Sequence, residues 1–97
     1  MNFKIIPSKT FNKHLETQSA KSRKIIYDKI QLIKQNPYRF KKIHTNKKLK
    51  LFRIRLNLDK KETRLIYTII EPNIILICLL ERKKDYKDLE KYLEKIN

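Results

Sequence analysis

The sequence predicts an α+β domain of order β-α-α-β-β-β-α, an antiparallel sheet with an N-terminal helical hairpin packed on one face and a short C-terminal helix. Three observations carry this. Apolar residues recur at helical spacing between Lys9 and Gln35, they alternate with a period of two from Lys50 to Ile70, and every position from Ile74 to Leu80 is apolar. At 97 residues the chain is too short for two ordinary domains, and residues 1–97 are expected to form one.

The elements follow in order. Asn2 to Ile6 is a β-prone run closed by Pro7 and Ser8, and Ser8 is a natural N-cap for the next segment. Lys9 to Thr17 places Phe11 and Leu15 four apart, and Ala20 to Gln35 continues the apolar stripe with Ile26, Ile30 and Ile33. That second helix stops at Asn36, because Pro37 disfavours helical geometry in the residue before it. Tyr38 to Lys48 holds five Lys and Arg without apolar periodicity and reads as an exposed connector.

From Lys50 the period is two. Phe52, Ile54, Leu56 and Leu58 face one way, and Leu51, Arg53, Arg55 and Asn57 face the other, as in a strand with one buried and one solvent-facing side. The polar bend Asp59-Lys60-Lys61-Glu62 turns the chain back. In the return strand, Thr63 to Ile70, Leu65, Tyr67 and Ile69 share one face while Arg64, Ile66 and Thr68 share the other. A turn at Glu71-Pro72-Asn73 leads into Ile74 to Leu80, an interior strand covered on both faces and expected at the centre of the sheet. The last segment aligns Tyr86, Leu89, Leu93 and Ile96 along one side of a helix.

Composition narrows the function. Glycine is absent, which excludes glycine-rich phosphate loops and dinucleotide fingerprints. One cysteine, Cys78, excludes an internal disulfide framework, and Cys78 with His14 and His44 makes too small a soft-ligand set for structural zinc. A reducing cytoplasm is the expected location; no secretory signal is read at the start, and no apolar run approaches the roughly 20 residues of a spanning helix. The net charge is +15, so the expected partners are polyanions. Met1 to Arg55 carries 16 basic residues against two acidic ones, and Leu56 to Asn97 carries 9 against 8, which points to one basic face. A genomic bias toward lysine would also raise the charge. It would not place arginines at alternating strand positions.

Arg53 and Arg55 project together, and Arg64 has the parity to join them if the register allows. A guanidinium presents a rigid fork of donors matched to phosphate oxygens, so this set suggests phosphate recognition. The alternative is a solvated strand face with cross-strand charge pairs to Glu62 or Glu71. Arg82 and Tyr86 sit four apart at the start of the last helix, where tyrosine can stack on a base, donate its phenolic proton, or simply pack against the sheet. Neither histidine is assigned to the chemistry: His44 reads as a solvated residue of the irregular connector, and His14 reads as structural.

The blocks Leu51-Phe52-Arg53-Ile54-Arg55-Leu56, Thr63-Arg64-Leu65-Ile66-Tyr67 and Arg82-Lys83-Lys84-Asp85-Tyr86 resemble the RelE/ParE superfamily of toxins from type II toxin–antitoxin systems. The likeness spans almost the whole chain and is greatest to the RelE-type mRNA endonucleases. It implies a metal-independent, cofactor-free endoribonuclease that enters the ribosomal A site and promotes attack of a ribose 2′-hydroxyl on the adjacent phosphate. A cognate acidic, RelB-like antitoxin is the implied partner, with the ribosome and mRNA, and no membrane. Carried over, the resemblance implies catalytic roles for Arg53, Arg55, Arg64, Arg82, Tyr86 and Lys84, and RNA-binding roles for Lys47, Lys48, Lys50 and Lys83. Lysines of the second helix add a general docking surface for ribosomal RNA. Relatives carry lysine in the strand motif where this chain has arginine, so the proton acceptor falls to Lys50, Lys83, Lys84, Glu81 or Tyr86. The segment Asn57 to Thr63 also looks longer than the family's shorter hairpins. The competing readings are a ParE-like gyrase poison and a catalytically silent RNA-binding relative of the same fold.

Overall fold

The computed structural model describes residues 2–44, 49–81 and 87–94. The elements are β1 (Lys4–Pro7), α1 (Lys9–Glu16), α2 (Ala20–Gln35), β2 (Lys41–Ile43), β3 (Leu51–Leu58), β4 (Lys61–Ile70), β5 (Asn73–Glu81) and α3 (Lys87–Glu94). The predicted α+β class and helical hairpin are observed. Both helices start at serine caps: Ser8 Oγ accepts the Phe11 N–H at 3.0 Å, and Ser19 Oγ accepts the Ser22 N–H at 3.1 Å.

The five strands lie in the order β1-β5-β4-β3-β2. Two features exceed the sequence reading. The Tyr38 to Lys48 segment contains β2, a three-residue edge strand held by pairing with β3 rather than by any pattern of its own. β1 pairs with β5 in parallel, which makes the sheet mixed. β4 is the middle strand, and β5 lies inside the sheet between β1 and β4.

The β3–β4 turn is tighter than the four-residue bend, Asp59 to Glu62, read from the sequence. Leu58 pairs with Lys61, so only Asp59 and Lys60 form the turn. Both have positive φ, 50° and 65°, the backbone of the two-residue turn that matches strand twist and ordinarily selects Asn-Gly or Asp-Gly. Asp59 tolerates that region; Lys60 occupies it with a Cβ that glycine lacks. Ser22 Oγ, buried in α2, lies 3.3 Å from Asp59 Oδ2 and ties the turn to the helix.

Alternation divides the side chains between two cores. Phe52, Ile54, Leu56, Leu58, Leu65, Tyr67, Ile74, Leu76 and Leu79 meet Phe11, Ile26, Ile30 and Ile33 of the helical hairpin. Leu51, Ile66, Ile77, Cys78 and Leu80 meet Leu89 and Leu93 of α3 on the other face. A β-bulge allows β5 to serve both, because Ile66 pairs with Cys78 and Tyr67 with Leu76, leaving Ile77 between them. Burial pushes the Cys78 thiol up to about 12 and raises the Tyr67 phenol well above its ordinary range. The Tyr67 hydroxyl donates to the Pro37 carbonyl at 2.6 Å.

Beyond Pro7, α1 side chains take over the edge of β5. Ser8 Oγ donates to the Ile77 carbonyl at 2.8 Å, and His14 Nδ1 accepts the Leu79 N–H at 3.1 Å. The His14 ring stands edge-on to Tyr92 of α3, 5.2 Å between centroids. No helix of the described residues is long and apolar enough to cross a membrane.

Candidate functional site

The hairpin register decides which cations meet. Arg55 lies directly opposite Arg64, and Arg53 lies between Ile66 of β4 and Lys41 of β2. Residues two apart on a strand share a face, and so do directly opposed partners, so Arg53, Arg55, Arg64 and Lys41 all occupy the α3 side of the sheet. The expected grouping of the three arginines on one surface is therefore present, and Lys41 joins it. Sequence reading missed Lys41 because its strand is three residues long inside a basic run. The only signal was its distance from the apolar Ile43, two residues on.

These cations differ in setting. Arg53 is 8% exposed, which corrects the expectation of a wholly solvent-facing side: that face is covered at Leu51 and Arg53 and opens toward Arg55. The Arg55 side chain is 60% exposed, and its Nε lies 4.0 Å from Oε1 of Glu62, itself 37% exposed. Of the two carboxylates named as cross-strand partners, Glu62 thus pairs and Glu71 does not. Glu71 instead accepts a hydrogen bond from the Tyr38 hydroxyl, which raises the phenol above its ordinary range. Lys50 is exposed, and its carbonyl accepts the Thr68 hydroxyl at 2.7 Å.

Glu81 falls away from the group. It pairs in register with Thr63, one position from the Arg64–Leu80 pair, so it faces the other side of the sheet, where its Oε1 is 3.7 Å from Lys61 Nζ. Arg82, Lys83, Lys84 and Tyr86 lie outside the described residues, as do Lys47 and Lys48. His44 is exposed after β2, and His14 has the structural contacts given above.

A hollow of about 640 Å³ lies elsewhere, lined by Ile6, Ser8, Lys9, Lys13, His14 and Tyr92 among others, and contains none of the three arginines. A polyanion backbone is gripped on an open face, so the arginine patch does not need a cavity. Like charges directly opposed across strands destabilise a sheet. Glu62 beside Arg55 offsets part of that repulsion. The patch gathers positive charge and forked donors on one side of the sheet.

No protein-family model matches the chain, and no curated protein sequence matches it. Solved structures do. A free-state double arginine-to-alanine mutant of the E. coli toxin RelE is similar with a TM-score of 0.70 at 15% identity, over 99% of this chain and 96% of that one. The isolated E. coli RelE toxin aligns at 0.68 and 13% identity over 100% of both chains. An archaeal RelE–RelB complex from Pyrococcus horikoshii aligns at 0.64 and 17% identity, over 88% of this chain and 100% of that one. The chain has the fold of the RelE toxins.

Proposed function

We propose that residues 1–97 form a single toxin domain of a type II toxin–antitoxin pair, acting in the cytoplasm as a ribosome-dependent endoribonuclease on mRNA in the A site. The observation that carries this reading is the Arg55–Arg64 opposition with Arg53 on the same face. Three arginines on one face of β3 and β4 make a surface suited to gripping the phosphates of an RNA backbone.

The reaction asks the site for electrostatics. Attack of the 2′-hydroxyl on the adjacent phosphate builds a dianionic, five-coordinate phosphorane, and cations positioned on its oxygens stabilise it more than the ground state. At an effective dielectric of about 20, a cation roughly 4 Å from an anionic oxygen gains about 4 kcal/mol before desolvation. On this reading Arg53, Arg55 and Arg64 supply the clamp, and the family resemblance assigns Arg82, Lys84 and Tyr86 to the same reaction, with Tyr86 as the aromatic that stacks near the scissile nucleotide. Lys47, Lys48, Lys50 and Lys83 bind RNA phosphates, an interaction that weakens steeply with salt. The reading calls on no metal or small-molecule cofactor.

An acidic, RelB-like antitoxin is the expected regulator, a reading supported by the archaeal relative having been solved as a RelE–RelB complex. Primer extension on translating ribosomes with the purified protein tests the activity, beside Arg64→Ala and Arg82→Ala. Each substitution is expected to slow A-site cleavage about 10²–10³-fold. Gyrase-dependent DNA breaks in place of mRNA cleavage would overturn the reading in favour of a gyrase poison.

A further inference from the structure

We propose that Glu62 is the proton acceptor for the attacking 2′-hydroxyl, an inference that rests on the ribonuclease reading above. Arginine keeps its proton at physiological pH, so Arg53, Arg55 and Arg64 can grip a phosphate but cannot take the proton that the reaction releases. Glu62 is the only carboxylate of β3 or β4. It sits two residues before Arg64 on the same face of β4, with Asn57 opposite and Arg55 on the diagonal. Its Oε1 lies 4.0 Å from Arg55 Nε, within the span of a single nucleotide phosphate held by the clamp. Glu81, the other strand carboxylate considered for this role, faces the opposite side beside Lys61.

Glu62 is half-open to solvent, so an incoming ribose can reach it, and the neighbouring guanidiniums offset its repulsion of the phosphate. In the step, the 2′-hydroxyl proton passes to the Glu62 carboxylate as the 2′-oxygen–phosphorus bond forms. The bond from phosphorus to the 5′-oxygen breaks, its electron pair leaves on that oxygen, and water supplies the proton. Glu62 then returns its proton to solvent, so a phosphodiester becomes a 2′,3′-cyclic phosphate and a 5′-hydroxyl without net proton uptake.

The test is single-turnover cleavage of a defined mRNA in the A site of purified bacterial ribosomes, measured from about pH 5 to pH 8, with a thermal melt confirming the fold of each variant. Glu62→Gln is expected to slow cleavage about 10²–10⁴-fold and to abolish the rise of rate with pH on the acid side. Glu62→Asp should keep that rise at an intermediate rate. A Glu62→Gln rate within about threefold of the unmodified protein would overturn the assignment while leaving the ribonuclease reading intact. A slow Glu62→Gln that kept the acid-side rise would also overturn it, since a group that merely holds Arg55 in place would behave so. An inactive unmodified protein would overturn both at once.

Discussion

The two faces of the sheet are built from the same strands and do opposite things. On one, Phe52, Leu65 and Tyr67 close against Phe11, Ile26 and Ile33, with hardly any surface left exposed. On the other, α3 covers Leu51, Ile66, Ile77, Cys78 and Leu80, and beyond that smaller core stand Arg53, Arg55, Arg64 and Lys41. The first face resembles an ordinary protein interior, where packing decides stability. The second places like charges against one another and keeps one carboxylate among them, an arrangement that packing would not select. Strand alternation is what lets β3 contribute to both, since neighbouring residues point to opposite sides.

If stability and chemistry are divided in this way, substitutions on the two faces should move different measurements. Phe52→Ala removes a buried ring stacked 5.4 Å from Tyr67 and should cost about 3–5 kcal/mol of stability in a denaturant titration. On the other face, Arg55→Ala should reduce A-site cleavage about 10²–10³-fold while the thermal midpoint stays level or rises, because one of two opposed guanidiniums is removed. A fall in the midpoint comparable to that of Phe52→Ala would break the division. Cys78 sharpens it from the buried part of the same face. Its folded-state pKa is raised to about 12, so its contribution is complete below the unfolded value of about 8.5 and is lost as pH rises toward the folded one, by up to about 1.4 kcal/mol per pH unit. Denaturant titrations between those limits should show that slope, and Cys78→Ala should flatten it. The smallest effect concerns the turn between the faces: Lys60→Gly relieves a Cβ in the left-handed region and should stabilise by about 0.5–1 kcal/mol.

The helical hairpin was legible because its signals are local: a serine cap at Ser8, a stripe of isoleucines and a proline stop, while the second cap, Ser19, went unread. The parity of β3 and β4 was legible for the same reason, and with it the grouping of Arg53, Arg55 and Arg64. Non-local features left no such trace. β2 exists because β3 offers it a ladder, and the parallel pairing of β1 joins residues about 69 positions apart, as between Ile5 and Ile74. The bulge at Ile77 is hidden in a run where every residue is apolar, so a shift of phase leaves the pattern unchanged. Glu62 was read as a possible charge partner but not as a reactive group, because its position beside Arg55 depends on a two-residue turn, and without glycine at Asp59-Lys60 the sequence implied a wider bend.

The side chains that finish β5 also bear on how the protein behaves at high concentration. A strand as apolar as Ile74 to Leu80 is the segment of this chain best suited to recruit a neighbour's backbone into an aggregate. β1 covers its outer side only as far as Leu76. Past that point, the Ile77 carbonyl and the Leu79 N–H are occupied by Ser8 and His14, so two of the contacts an invading strand would need are already taken. A cap residue and a ring thereby act as a guard on solubility, and their loss would be felt first in the test tube as turbidity.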